Sequence, residues 1–184
     1  MTLLKAKLIA LLLALTLAGT ANAATESSTS ALTFSGGNAF FGNTIAAGFS
    51  AFDDFFTFSV PAANTGNVGA SVIAGFSSSP GSFGWTSVIT AFDLFSGTPG
   101  SGTLITLGTV YGGIAGTTGA FGLLPGNYFL NVQGSIPNPA AGGSYGGAAN
   151  LVLTPVPEPG EWALMMSGLG LIGFMVRRRT SRSA

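Results

Sequence analysis

Residues 52–60 have the sequence Phe52-Asp53-Asp54-Phe55-Phe56-Thr57-Phe58-Ser59-Val60 and are followed directly by Pro61. Successive side chains of a β-strand point to opposite faces, so the two faces of this segment differ in character. One face carries Phe52, Asp54, Phe56, Phe58 and Val60. Proline cannot donate a ladder hydrogen bond and is expected to end the strand. The alternation therefore predicts a β-strand with one buried face.

Similar short runs recur on both sides of this segment, separated by Gly, Asn, Ser and Pro. They predict further strands at residues 68–76, 86–95, 103–110, 120–124, 128–133 and 150–154, with a loose segment at 134–147. Pro125-Gly126-Asn127 predicts a turn, because Pro fixes φ and Gly and Asn tolerate positive φ. The chain has 29 Gly among its 184 residues, and Gly disfavours helices. In agreement with this, the body shows no sustained apolar period of 3.6 residues, the pattern of an amphipathic helix.

These patterns predict an all-β domain at residues 24–154, an antiparallel β-sandwich of jelly-roll type. An N-terminal signal-peptide helix and a short C-terminal hydrophobic helix are expected outside it. The alternative for the body is a Gly-rich, partly disordered matrix chain. The 15 Phe residues argue against disorder, since disordered chains are poor in aromatic residues.

Charge is scarce and unevenly placed along the chain. Charged residues make up 7% of the sequence, and every cation lies near an end, at Lys5, Lys7, Arg177, Arg178, Arg179 and Arg182. A body without cations cannot pair with phosphates, so nucleic acid is excluded as a partner. His and Cys are absent, which excludes histidine base catalysis, activation of a serine by histidine, and His or Cys metal sites. We therefore expect a protein that is not an enzyme.

The N-terminal segment, residues 1–23, has the organisation of a secretory signal peptide. Lys5 and Lys7 give it a positive start, and residues 8–18 form an apolar run. Ala21-Asn22-Ala23 supplies the small residues that signal peptidase requires, which predicts cleavage between Ala23 and Ala24.

The C-terminal segment, residues 155–184, has three parts. Pro155, Pro157 and Pro159 predict an extended spacer, since proline continues neither a ladder nor a helix interior. Residues 162–176 are uncharged and predict an apolar helix. At about 1.5 Å per residue the run is roughly 22 Å long, short of a bilayer core of about 30 Å, although snorkelling arginines and local thinning compensate. Arg177, Arg178 and Arg179 are expected to hold its end in the cytoplasm. The simpler interpretation is a plain C-terminal anchor.

Together, Val156-Pro157-Glu158-Pro159, Trp162-Ala163-Leu164, the Gly-containing apolar run and the Arg cluster resemble a PEP-CTERM sorting signal. The resemblance implies an exported protein of a Gram-negative bacterium. It also implies that an exosortase, a membrane cysteine protease-transpeptidase, cuts near Pro157-Glu158-Pro159 after transient anchoring in the inner membrane. The body would then reach the cell surface or the exopolysaccharide matrix.

A second resemblance lies in the body. Phe52, Asp54 and Phe56, with residues 91–95 and 124–130, resemble the FxDxF family of PEP-CTERM proteins. This resemblance implies no established activity, and so it concerns location and fold.

Asp54 is the residue that most needs a partner. Its face is otherwise apolar, and a buried carboxylate without partners costs several kcal/mol. Backbone N–H groups or hydroxyls of a neighbouring turn could bond it. A structural Ca²⁺ shared with Asp53, Asp93 or backbone carbonyls is the second possibility, since Ca²⁺ prefers oxygen ligands. Otherwise the carboxyl is protonated, or a bulge exposes it. We expect no other cofactor.

For function, these features predict a non-catalytic surface or matrix protein associated with exopolysaccharide and biofilm. The first alternative is a carbohydrate-binding module that uses Trp85, Tyr111 and Tyr145. The second is a self-assembling structural protein, because edge strands without Lys invite pairing.

Two further activities are more remote alternatives for the same body. A glycosidase would need two acids across the scissile bond, with Asp53 or Asp54 paired with Asp93. An ice-binding face would need a regular Thr array, but the spacing of Thr103, Thr106 and Thr109 alternates between the two faces of a strand.

Overall fold

A computed structural model describes residues 24–79, 82–156 and 159–180. The signal peptide with Ala23, and Pro157 and Glu158 of the sorting signal, lie outside the described residues. Those described form strands and one helix, with the following bounds: β1 Ala24–Ala31, β2 Asn38–Ile45, β3 Phe49–Val60, β4 Asn64–Ala74, β5 Phe76–Ser79, β6 Ser82–Trp85, β7 Val88–Ser96, β8 Thr103–Thr106, β9 Thr109–Tyr111, β10 Ala115–Leu123, β11 Gly126–Ser135, β12 Gly143–Pro155 and α1 Pro159–Thr180.

The strands form two five-stranded sheets and a separate hairpin. Sheet A has the order β1-β3-β11-β7-β8, sheet B has the order β2-β12-β4-β10-β9, and β5 pairs with β6. The all-β fold is thereby confirmed, and the jelly-roll subtype stays a prediction. One pairing differs from the expected antiparallel pattern, because β1 runs parallel to its neighbour β3.

The core lies between the two sheets and follows the alternation predicted for β3. Phe52, Asp54, Phe56, Phe58 and Val60 are all buried. Alternate residues of β4 and β12 in sheet B pack against them. Phe92, Leu94 and Leu130 of sheet A lie in the same core and have no exposed surface. Each buried side chain of this size contributes about 1.5–3 kcal/mol, so the sheets are held together mainly by apolar burial.

The segment 103–110 is two strands, where the sequence pattern predicts one. It divides into β8 in sheet A and β9 in sheet B, and the chain crosses between the sheets at Leu107 and Gly108. A Cβ on Gly108 would overlap the Phe92 carbonyl oxygen, so the crossing needs a residue without a side chain. The Gly108 N–H donates to Asp93 Oδ1 at 2.9 Å, which fixes the crossing point.

The segment 134–147 is not a loose connection either. β11 runs to Ser135 and β12 begins at Gly143, so the segment is partly strand at both of its ends.

β1 and β2 have no counterpart among the predicted strands. They are rich in Ser, Thr, Gly and Asn, and they lack the apolar alternation by which a strand is recognised.

The predicted proline spacer is also shorter than expected. Pro155 is the last residue of β12, beyond Asn150, where the pairing with β2 ends, so its missing N–H costs no ladder bond on that side. Pro159 is the first residue of α1, where a helix tolerates proline.

The body holds its own core without α1. The core cluster lies between Ile45 and Leu151, and the α1 side chains that the structure describes are exposed. We therefore expect residues 24–156 to fold without α1. Among the described helices, none combines the length and the hydropathy of a membrane-spanning segment.

Candidate functional site

The Asp54 carboxylate lies inside the sandwich with no exposed surface. Its Oδ1 accepts hydrogen bonds from the Ser28 backbone N–H at 2.9 Å and the Ser28 hydroxyl at 2.6 Å. Its Oδ2 accepts from Asn43 Nδ2 at 3.1 Å and from the Tyr145 hydroxyl at 2.5 Å. These donors come from β1, β2 and β12. The buried charge is thus satisfied by hydrogen bonds, from three strands and not from a turn.

The two Phe residues of the Phe52-x-Asp54-x-Phe56 motif pack on the same tyrosine. The Phe52 ring stacks on Tyr145 with centroids 4.9 Å apart, and the Phe56 ring meets it edge-on at 6.4 Å. Because residues i, i+2 and i+4 of a strand share a face, the motif presents two rings and one acceptor to a single partner. The motif therefore joins the two sheets through Tyr145.

The surroundings of Tyr145 raise the pKa of its hydroxyl above the ordinary value. Burial is the largest cause, followed by the hydrogen bond to Asp54 and the negative charges of Asp54 and Glu26. Tyr145 therefore stays neutral in the folded protein and acts as a donor. The prediction that it stacks on a sugar is wrong, because the ring is only 5% exposed.

We expect the protein to lose stability as the pH rises above about 10, the ordinary pKa of tyrosine. The pKa of Tyr145 is higher in the folded than in the unfolded state, so the stabilisation is complete below that pH and declines above it. Urea denaturation between about pH 8 and pH 12 measures the decline, and Tyr145→Phe should flatten it. Tyr111→Phe, at an exposed position, is the control. Equal slopes in both variants would contradict the prediction.

Glu26 lies beside this cluster and is half-buried in β1. Its Oε1 is 3.4 Å from Asn43 Nδ2, the same amide that bonds Asp54. Its Oε2 is buried and has no hydrogen-bond partner among the described residues. No pattern in the sequence points to Glu26, Ser28 or Asn43, because the strands that carry them have no apolar alternation.

Asp53 and Asp93 project from the outer face of sheet A. Asp53 Oδ1 accepts from Asn131 Nδ2 at 2.6 Å and from Gln133 Nε2 at 3.2 Å, and Asp93 bonds the backbone of Gly108. Both acids are therefore separated from Asp54 by the sheet itself.

The calcium prediction has Asp54 share one ion with Asp53, Asp93 or backbone carbonyls. The structure does not bring the three carboxylates together, and the residues it describes include no group of three or more His, Cys, Asp or Glu that could hold a metal. The three acids therefore do not form one site, and a calcium ion held by Asp54 and backbone carbonyls stays a prediction. Of the two glycosidase pairs, Asp54 with Asp93 meets the same obstacle, because the two carboxylates lie on opposite faces of sheet A. The other pair, Asp53 with Asp93, shares the outer face of sheet A and stays a prediction.

The β5–β6 hairpin, called here the aromatic hairpin, stands outside both sheets. It exposes Phe76, Phe83 and Trp85, of which Phe83 is 81% exposed and Trp85 41%. The Phe76 ring lies edge-on to the other two, at centroid distances of 5.1 Å and 5.3 Å. An open groove of about 250 Å³ beside it is lined by Phe83, Trp85, Thr86 and Asn138, with Gly84, Ala141 and Gly142. Aromatic faces next to a few polar groups can bind a small, partly apolar ligand.

At the C-terminal end, residues 155–179 match the model of the PEP-CTERM protein-sorting motif. The chain carries a PEP-CTERM sorting signal. The motif marks an exported protein with a C-terminal membrane-anchoring sorting signal, and it implies processing by an exosortase. Of its predicted residues, Pro159 begins α1 and Arg177, Arg178 and Arg179 lie in the last turn.

No curated protein matches this chain. Among solved structures, it is similar to PliG of Aeromonas hydrophila, a periplasmic inhibitor of g-type lysozyme, with 17% identity over 70% of this chain and 100% of that chain and a TM-score of 0.43. It is also similar to the pre-peptidase C-terminal domain of a Bacillus anthracis collagenase, with 19% identity over 71% and 99% and a TM-score of 0.36. PliG of Salmonella Typhimurium gives 13% identity over 68% and 99%, with a TM-score of 0.39.

Proposed function

We propose that this exported protein is a non-catalytic surface or matrix protein that binds exopolysaccharide through the aromatic hairpin. The exposure of Phe76, Phe83 and Trp85 on one two-stranded element supports the proposal. Aromatic rings of this size are normally buried, because leaving them in water forfeits much of their apolar contact. Grouped exposed apolar side chains mark a binding surface.

The polar lining of the neighbouring groove fits a sugar. Thr86 and Asn138 offer a hydroxyl and an amide, which can each donate and accept a hydrogen bond. Sugar rings have apolar C–H faces that stack on aromatic rings and hydroxyls that need such partners. The two kinds of contact lie side by side here.

The charge of the body favours a neutral polysaccharide. Residues 24–156 contain no Lys or Arg, while Glu26, Asp53, Asp54 and Asp93 are all acidic. Carboxylate and sulfate groups of acidic polysaccharides require cations for charge-assisted hydrogen bonds. We therefore expect neutral glycans to bind and acidic ones to bind weakly.

The route to the matrix follows from the two ends of the chain. Signal peptidase would cut between Ala23 and Ala24, and the C-terminal sorting signal, residues 155–179, would hold the protein briefly at the inner membrane of a Gram-negative bacterium. The exosortase would cut near Pro157-Glu158-Pro159. The body would then be free at the cell surface, where it could meet exopolysaccharide.

An array of neutral and acidic glycans, probed with the body of residues 24–156, tests the proposal. We expect at least one neutral glycan to bind, and Trp85→Ala and Phe83→Ala each to weaken that binding by roughly tenfold or more, as for aromatic anchors in other interfaces. Leu104→Ala is the matched control, because Leu104 is 43% exposed, like Trp85, and lies on β8 in sheet A, outside the hairpin. The proposal is wrong if no glycan binds, or if the hairpin variants bind as tightly as the control.

A further inference from the structure

We propose that two copies of the body associate face to face through the outer face of sheet B. This face is the side of β2, β12, β4, β10 and β9 that points away from the core. It is five strands wide along the row that runs from Phe40 through Ala148, Ser71 and Thr117 to Thr109. Ser71 lies on β4, the middle strand, and so marks the centre of the face.

The outer face of sheet B exposes large apolar side chains at intervals. Phe40 is 83% exposed, and Ile73, Tyr111, Phe121 and Val152 are each more than half exposed. Between them lies a shallow groove of about 510 Å³. Gly146, Ala148 and Ser71 line its floor. An apolar surface of this extent on an exported domain indicates an interaction site.

The distribution of charge selects a second copy as the occupant. β2, β4, β9, β10 and β12 contain no Asp, Glu, Lys or Arg. A charged partner would lose water from its charges and find no counter-charge on this face. A second copy presents the same uncharged face and has no charges there to desolvate.

Charge also fixes which faces meet. The four acidic residues of the body, Glu26, Asp53, Asp54 and Asp93, all lie in sheet A, on β1, β3 and β7. No cation in residues 24–156 offsets them. Of these acids, Asp53 and Asp93 project from the outer face of sheet A, whereas Asp54 lies inside the sandwich with Glu26 beside it. Two copies approaching with sheet A forward would bring the outward-facing Asp53 and Asp93 of both copies together and repel, whereas two copies meeting through sheet B keep these two acids on the far sides. An isologous two-fold arrangement satisfies this condition.

The area of the face is sufficient for a dimer. Five strands about 4.8 Å apart and about eight residues long cover roughly 600 Å² on each copy, and the resulting total of roughly 1,200 Å² is above the approximately 1,000 Å² that a specific interface needs. In the groove, residues without large side chains let the partner sheet approach closely. This interaction is independent of the aromatic hairpin, which lies in neither sheet.

Sedimentation of the body, residues 24–156, over a wide concentration range tests the inference. We expect a monomer–dimer equilibrium, and Ser71→Glu should weaken dimerisation at least tenfold, because it buries like charges at the centre of the interface. Ser59→Glu is the matched control, since Ser59 is exposed on β3 in sheet A. An equimolar mixture of Ser71→Glu with Ser71→Lys should dimerise again, as opposite charges then meet.

Three results would overturn the inference. The unmodified body could remain monomeric at all concentrations, Ser71→Glu could dimerise as well as Ser59→Glu, or the mixture of opposite charges could stay monomeric. If Ser71→Glu instead abolished glycan binding by a monomeric body, the face would belong to the glycan. We expect the hairpin variants Trp85→Ala and Phe83→Ala to dimerise normally. A failure of the dimer proposal can therefore be told apart from a failure of the glycan proposal.

Discussion

Replacing Asp54 with alanine is expected to lower the free energy of unfolding of the body by about 3–5 kcal/mol. The change leaves the donors of Ser28, Asn43 and Tyr145 inside the sandwich without their acceptor. Each buried donor that is left unsatisfied costs about 1–3 kcal/mol, and this cost exceeds what is regained by removing a buried charge. The change also removes both of the hydrogen bonds by which Asp54 holds Ser28 of β1.

Urea denaturation of residues 24–156 measures this loss, with Ser59→Ala in the same strand as the control. Ser59 is exposed, and its replacement should change stability by no more than about 0.5 kcal/mol. Should Asp54→Ala fail to fold, Ser28→Ala and Tyr145→Phe remove one side-chain donor each and should cost about 1–2 kcal/mol apiece. A loss below about 1 kcal/mol for Asp54→Ala would show that the carboxylate does not hold the sheets together.

The second large effect is expected at Gly108, where the chain passes from sheet A to sheet B. Gly108→Ala places a Cβ against the Phe92 carbonyl oxygen and 2.8 Å from the Thr117 carbonyl oxygen. Both obstacles are backbone atoms of paired strands, so neither can rotate away. We expect a loss of about 4 kcal/mol or more, in the range reached by the most damaging single substitutions.

Gly69→Ala is the matched control for Gly108→Ala. Gly69 is a strand residue of β4 without a positive φ, and a Cβ added to it would meet no heavy atom within 4 Å. Alanine there should be neutral or stabilise by up to about 1 kcal/mol, because it restricts the unfolded chain. Thermal unfolding at low concentration compares the two. Equal melting temperatures would mean that the crossing tolerates a side chain.

Large apolar side chains define those parts of the fold that can be predicted from the sequence. The alternation from Phe52 to Val60 and from Tyr128 to Val132 identifies two neighbouring strands of sheet A and the faces they bury. β1 and β2 cannot be recognised in the same way, because their Ser, Thr, Gly and Asn side chains occur as often in turns. Their placement is decided by pairing with β3 and β12, which no local pattern encodes.

The candidate site is predictable to the same extent. Alternation places Asp54 among buried rings, and physical chemistry then requires donors for it. Ser28 and Asn43 lie on the unrecognised strands, so the donors cannot be named from the sequence. The two-residue period of a strand does, however, place Asp53 and Asp54 on opposite faces, which argues against their binding one ion.

The parallel pairing of β1 with β3 has a consequence for the order of assembly during secretion. Parallel neighbours cannot be joined by a tight turn, and here β2 makes the intervening passage through the opposite sheet. β1 therefore has no ladder to join until β3 is in position, although it comes earlier in the chain. Its arrival covers the edge of β3 that β11 leaves free.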